Sequence, residues 1–394
     1  MHTLVINQFF WPDTAPTGAL LTDVARSLQA NVTAICGPPD YADIDSPTPP
    51  PPARIVQTRS TQFARSRFGR VMSYATFFTG ALWKAARIEA PELVLTLSTP
   101  PLASLIGTAI KSLRVTRPAT VHIRHIIWEM DLYPEIAVDL GVLQPESTLT
   151  RTLAGLSRWS ASRADAIIAL GEDMKARLLA RGIPEHKIYV AENWADGREI
   201  TPQPFPEGPL TVHYSGNLGL AHDTATISAA IRHLANDARI RFIFAGGGSQ
   251  RRLLPASPNV ELRPYAPRAE LSASLAQGHL GLVTQLPQTC GAIVPSKTYG
   301  IMAAGRPVLY IGPKAATPAR IIDKHSCGWQ IDPGDTATVI QLLERLHSNR
   351  AAIHESGARA RAAFDQNYDK PQGVARILKI LNSSAPSAPS AVTS

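Results

Sequence analysis

Cysteine is scarce in this 394-residue chain: Cys36, Cys290 and Cys327 stand far apart, with no CxxC or Cys/His ligand spacing. That argues against a disulfide framework and a structural zinc site, and fits a reducing cytosol. Long hydrophobic runs are missing too. The most apolar stretches, 74–83 and 100–110, fall short of the roughly 18 residues needed to cross a bilayer. The N-terminus has no basic segment or cleavage site and begins like a strand, so no signal peptide is expected. Acidic residues are outnumbered, with Lys+Arg 39 against Asp+Glu 31 and a net charge of +8. This balance suits anionic partners in general. The basic residues are scattered rather than striped with aromatics, which argues against nucleic acid.

What is present describes a folded soluble protein, 44% hydrophobic and 18% charged, longer than one core supports. Short β-branched runs at 4–9, 32–37, 54–58, 93–97, 119–127, 166–170 and 187–191 alternate with helical patterns at 17–30, 68–87, 101–113, 148–163 and 172–181. A Pro/Gly-rich stretch at 200–209 reads as a linker. A second series follows, with strands at 210–215, 240–245, 260–262, 280–284, 307–311 and 329–331. Its helices are expected at 223–235, 268–276, 295–304, 318–324, 336–348, 350–364 and 370–381. Such alternation implies two α/β domains, each a doubly wound parallel sheet, with ligands in a cleft at the strands' carboxyl ends. The proline run 48–52 reads as a stiff surface insertion, and 383–394 as a disordered tail.

Chemistry-bearing residues gather at those carboxyl ends. Strand 210–215 runs into Gly216-Asn217-Leu218-Gly219, where glycines let backbone approach a phosphate, although a plain strand-to-helix turn explains them equally. Asp223 reads as a helix cap. Strand 240–245 ends in Gly246-Gly247-Gly248, with Arg251 and Arg252 just beyond. Arg251 suits a diphosphate and Arg252 a solvated turn, while Tyr265 is either a nucleobase neighbour or edge packing. Pro295 opens a short helix that would present backbone N–H groups, the Ser296 hydroxyl and the Lys297 ammonium to an anion. In the first half, Thr17 and Gly18 either offer N–H groups or cap a helix. His125, Glu129, Asp131 and Glu135 follow the strand at 119–127, where a general base would stand, though Asp131 also suits a turn or cap. The helix opening at Arg65 and ending at Arg87 mixes arginines with aromatics, fitting either a packed core helix or one lying on anionic lipid.

Taken in order, 128–143, 164–184 with Asn193-Trp194, 214–219 with His222-Asp223, 245–248 and 295–307 resemble the family 4 glycosyltransferases of GT-B fold. The likeness is to the bacterial subgroup that builds cell-surface polysaccharides and O-antigen-like glycans. The resemblance implies retaining, metal-independent transfer from a nucleotide sugar, usually a UDP-sugar, to a hydroxyl of a lipid-linked or glycan acceptor, with no cofactor. It implies an acceptor domain over 1–199, a nucleotide-sugar domain over 200–365, and a helix at 366–382 crossing back. Carried over, Gly216, Asn217, Gly219, His222, Gly247, Arg251, Tyr265, Ser296 and Tyr299 would hold the donor. Asp131 and Lys297 would be catalytic, and Thr17, Gly18, His125 and Glu129 would line the acceptor side. A cytoplasmic enzyme peripheral on the inner face of the plasma membrane is expected. Two glutamates usual in the family are replaced by Ala292 and Gly300, and His222 stands where a lysine is expected. Rival readings are a GT-B nucleotide-sugar epimerase and a non-catalytic member of a glycosylation complex.

Overall fold

The computed structural model describes residues 1–28, 31–39, 49–61, 67–114 and 122–383. Arg65, the start of the expected strand at 119–127 and the tail from 384 onward lie outside the described residues. Two compact units divide the chain: one comprises Met1–Leu170, Lys175–Ala191 and Val374–Ser394, the other Gly171–Met174 and Glu192–Gly373.

The N-terminal unit contains, in order, β1 (His2–Ile6), α1 (Pro16–Ser27), β2 (Asn31–Cys36), β3 (Ala53–Gln57), α2 (Arg67–Ala85), β4 (Leu93–Leu97) and α3 (Ser104–Arg114). β5 (Arg124–Trp128), α4 (Glu135–Asp139), α5 (Thr148–Arg163), β6 (Ala166–Ala169), α6 (Glu172–Ala180) from Lys175 onward and β7 (Ile188–Val190) follow. Its seven strands are all parallel in the order β3-β2-β1-β4-β5-β6-β7. β1, β4, β5 and β6 are almost wholly buried and, Arg124 and His125 of β5 and His2 and Thr3 of β1 aside, mainly apolar, as expected of a parallel sheet covered on both faces. α2 buries Phe77, Ala81 and Ala85 against Leu4, Ile6 and Ile35.

The C-terminal unit contains β8 (Leu210–Ser215), α7 (Ala225–His233), β9 (Ile240–Ala245), β10 (Val260–Arg263), α8 (Leu271–Ala276), β11 (Leu280–Thr284), α9 (Lys297–Ala303) and β12 (Val308–Ile311). α10 (Thr317–His325), β13 (Gly328–Ile331), α11 (Thr336–Ser348), α12 (Arg350–Asn367) and the start of α13 (Lys370–Ser383) complete it. Its six strands are parallel in the order β10-β9-β8-β11-β12-β13. In each sheet the strand order reverses once, between β1 and β4 and between β8 and β11, and ligands bind such sheets at that point.

The unit boundary falls after Ala191, where the sequence suggests 199, and within α13, where it suggests 365. Packing explains both differences. The Asp369 carboxylate accepts the Gly197 N–H at 2.8 Å, and a Cβ on Gly373 would meet the Trp194 ring at 2.3 Å, so 192–199 belongs with the α12–α13 junction. Farther along α13, the Leu381 carbonyl accepts from the Arg124 guanidinium at 2.6 Å. Among the described residues no helix is long and apolar enough to cross a membrane.

Candidate active site

In the C-terminal unit the two glycine turns, separate in sequence, are knitted together. Gly216 N–H donates to Ala245 O at 2.8 Å, Leu218 N–H to Gly247 O at 2.8 Å, and Gln250 N–H to Leu218 O at 3.0 Å. The β8–β9 ladder thus continues past both strands. Gly246 lies at φ +131°, and a Cβ there would sit 2.1 Å from Gly216 O; at Gly248, φ +117°, it would sit 2.3 Å from Leu218 O. These glycines therefore serve one another's backbone before any phosphate. Gly246→Ala should cost about 2 kcal/mol or more of stability and weaken donor binding with it. Thermal unfolding and calorimetry check this; an unchanged melting temperature would contradict the knitted turns.

The ladder leaves alternate amides over. The N–H groups of Asn217 and Gly219 make no hydrogen bond among the described residues. Lys297 comes to this turn from α9. A Cβ on Gly216, at φ +120°, would lie 2.8 Å from the Lys297 Cε, so glycine there leaves room for the lysine. The Lys297 ammonium donates to Asn217 O at 3.5 Å and lies 5.3 Å from the Tyr214 ring centroid. No carboxylate pairs with it among the described residues, and burial pushes its pKa down to about 8. A half-buried cation without a counter-ion, beside two open amides, has the chemistry to receive an anion.

His222 belongs to the same cluster in a different role. Its Nδ1 is 2.9 Å from the Thr284 carbonyl, which can only accept, so Nδ1 carries the proton. Burial first, then Lys297, pushes the ring's pKa down to about 4, leaving it neutral. The neutral imidazole ties the turn after β8 to the end of β11, at the point where strand order reverses. The Tyr214 hydroxyl donates to Asn217 O at 2.7 Å and faces the His222 Nε2 at 3.3 Å. Asp223 caps α7, accepting the Ala225 and Thr226 N–H groups at 3.0 and 3.2 Å.

Several sequence expectations need correction here. α9 has only seven residues and starts at Lys297, not Pro295. Ser296 precedes it, exposed, and its hydroxyl makes no capping bond. The groups suited to an anion are therefore Lys297 and the Gly216–Gly219 turn rather than a helix terminus. Tyr299 cannot touch a donor: it is 1% exposed and packs on Tyr368, ring centroids 5.5 Å apart. The Arg251 guanidinium reaches the Arg263 carbonyl at 3.2 Å, beside the glycine turns, and Arg252 is exposed. Tyr265, 57% exposed, lies edge-on to Gly247, where a Cβ would be 3.1 Å from its ring.

In the N-terminal unit, the chain leaving β5 turns over Ser98, whose Oγ accepts the Met130 and Asp131 N–H groups at 2.9 and 3.0 Å. Ser98 follows β4, so this turn also stands beside a strand-order reversal. Asp131 and Glu129 line a small pocket with Ser98, Ser104, Tyr133 and Ser157. Neither carboxyl has a hydrogen-bond partner among the described residues. Burial pushes Asp131 up to about 6. Burial pushes Glu129 up to about 7 against the pull of Arg181, with Glu135 and Asp131 adding to the rise. Arg181 is itself engaged by Glu135 and Ser157.

Three expected acceptor residues are not placed for that task. His125 is 0% exposed, with Nε2 2.9 Å from the Thr96 hydroxyl, and its ring lies where a Cβ on Gly107 would be. Burial drives its pKa down to about 3, so it is a neutral core residue. Gly18 is buried because a Cβ would press on Phe9 and Phe10 at 3.1–3.3 Å. Thr17 lies inside α1; the cap position is Ala15, whose N–H donates to the buried Asp13 carboxylate at 2.8 Å. Sequence reasoning missed Ser98, Tyr214 and Thr284. Ser98 just follows a strand, Thr284 ends one and Tyr214 is the last but one of another, and that position was the available signal.

The model of Glycosyltransferase Family 4 matches residues 19–197. The probable glycosyltransferase WbjE of Pseudomonas aeruginosa is 27% identical over 347 residues, 82% of this chain and 84% of its own length. Anabaena Alr3699/HepE, solved in complex with UDP-glucose, superposes with a TM-score of 0.71 at 14% identity, covering 97% of this chain and 100% of that one. WaaG, a glycosyltransferase involved in lipopolysaccharide biosynthesis, superposes with a TM-score of 0.69 at 12% identity, covering 97% and 100%. At such identities the two structures testify to architecture alone, two parallel sheets with interleaved helices. Residues 19–197 thus resemble Glycosyltransferase Family 4, and the chain has the GT-B fold.

Proposed function

We propose that the chain transfers a glycosyl group from a UDP-sugar to a hydroxyl of a lipid-linked or glycan acceptor at an anionic membrane surface. The reading includes retention at the anomeric carbon, no metal ion, and a place in cell-surface polysaccharide assembly. The observation that carries it is the unpaired Lys297 ammonium beside the open amides of Asn217 and Gly219. As the bond from anomeric carbon to phosphate oxygen breaks, its electron pair leaves on the diphosphate. A fixed cation and fixed N–H dipoles stabilise that charge without reorganising. The hydroxyl attacks from the face the diphosphate leaves, which keeps the anomeric configuration, and Asp131, as the carboxylate, takes its proton. Tyr265 offers a ring face to the uracil. Supporting the reading, HepE was solved with UDP-glucose, and WaaG acts in lipopolysaccharide biosynthesis.

Calorimetry against UDP, and transfer from a panel of UDP-sugars in the presence of EDTA, tests this reading. Binding and EDTA-resistant transfer with an unchanged anomeric configuration are expected. A chain that binds no nucleotide would be the non-catalytic partner of a glycosylation complex, which one observation favours. Ala292 is fully buried, and a side chain at Gly300 would face Ile200 at 3.6 Å, so no carboxylate occupies either place. An epimerised UDP-sugar formed without acceptor would point instead to isomerase chemistry.

A further inference from the structure

α2, α3 and α5 lie side by side on one face of the N-terminal sheet. α2 packs on β2 and α3, and α3 meets α5 through Thr108 and Ser160, whose hydroxyls are 2.8 Å apart. Not one Asp or Glu occurs in the three helices. α5 buries Thr150, Ser157, Ser160 and Ala161 and turns another stripe outward. On that stripe Leu149 is 57%, Leu156 39% and Trp159 41% exposed, spaced as one helical face. On α2, Trp83 is 53% exposed. Each tryptophan carries an arginine over its ring from four residues on: Arg87 at 3.7 Å and Arg163 at 5.1 Å from the centroids.

A solvated helix face does not need Leu and Trp at a helical period, and a second copy of an acid-free layer would repel its mate. Exposed aromatics flanked by guanidiniums, with no carboxylate on the helices themselves and Glu146 paired with Arg151 at the start of α5, suit a plane of lipid phosphates, where ring and charge sit at headgroup depth. We propose that the outward face of α5, flanked by Trp83 and Arg87, is the surface on which this chain lies against an anionic phospholipid bilayer. The proposal rests on the membrane-surface reading above and moves its weight from α2 to α5. The helices run antiparallel to the strands they connect, so both Trp–Arg pairs stand at one end of the layer. With α3 between them they lie about 20 Å apart, two helix spacings. The stripe runs the length of α5, so the layer lies flat rather than tip-first.

Co-sedimentation with vesicles tests this without donor or acceptor, so its failure is separable from failure of the transferase reading. The chain should sediment with equimolar phosphatidylglycerol and phosphatidylcholine, stay in solution with phosphatidylcholine alone, and release as salt rises. Arg158→Gln and Arg163→Gln should each weaken binding about fivefold, and Leu149→Ser with Leu156→Ser and Trp159→Ser should abolish it. All of these positions are exposed and outside the proposed site, so UDP binding should be unchanged. As a check that needs no polar substitution, brominated lipid should quench tryptophan fluorescence in Trp83→Phe protein and quench it less once Trp159→Phe is added. A chain that ignores anionic vesicles, α5 variants that bind normally, or an α5-dependent dimer in place of vesicle binding would overturn the proposal.

Discussion

Replacing Lys297 with alanine is expected to lower glycosyl transfer about a hundredfold or more, a loss of about 3 kcal/mol in transition-state stabilisation. The melting temperature should hold. Its ammonium makes a single 3.5 Å hydrogen bond to protein, to Asn217 O, so the fold loses little without it. Burial already holds the amine at about 8, meaning that desolvation works against its charge. A bound diphosphate reverses the balance by supplying the missing negative partner. Donor affinity should therefore fall as pH rises through about 8 in the wild type, and Lys297→Ala should lose that dependence. Calorimetry with UDP across pH, beside initial rates, reads both effects. Undiminished turnover in the variant would remove Lys297 from the mechanism.

Asp131→Asn is expected to cost more, about a hundredfold to ten-thousandfold in kcat, the span of positioned acid–base catalysis. The carboxyl must be ionised to accept the hydroxyl proton, so wild-type kcat should fall as pH drops through about 6. Glu129 complicates the limb, because it titrates at about 7 in the same pocket and the pair's apparent values belong to both groups. Glu129→Gln separates them. Titrating above Asp131, Glu129 is mostly protonated by pH 6, so a neutral side chain there should leave the limb at about 6 in place and remove any limb at about 7. Stability follows a known sign: both folded values lie above the unfolded ones, so the native state binds more protons and loses stability as pH rises from about 4 to 7. Glu129→Gln should remove part of that loss. A pH–kcat profile unchanged by either substitution would detach the pocket from catalysis.

The strands at 93–97, 210–215, 240–245 and 280–284 can be read from the sequence to the residue, as can the helices at 148–163 and 336–348. These parallel strands are short, mostly apolar and β-branched or aromatic runs, and those helices open on side-chain caps, Ser147 and Asp335. α4, at five residues, is too short to show a period. The site is legible only in outline. Gly216 and Lys297 stand out as types suited to phosphate, but 80 residues of sequence separate them, and only the fold shows the lysine stem passing over the glycine. Motif reasoning also fails for Tyr299 and His125, because a motif records the order of residues and not which face of a helix or strand each occupies. Both belong to the core.

The alternation of used and open amides along 216–219 limits how this turn can change in length. Gly216 and Leu218 spend their N–H groups on the neighbouring turn, while Asn217 and Gly219 keep theirs. Lost or gained singly, a residue would act like a frameshift, pointing the committed amides at the ligand and the free ones at Ala245 and Gly247. Changes in steps of two would preserve the reading frame. A two-residue rule on insertions thus follows from the hydrogen bonds between the two turns.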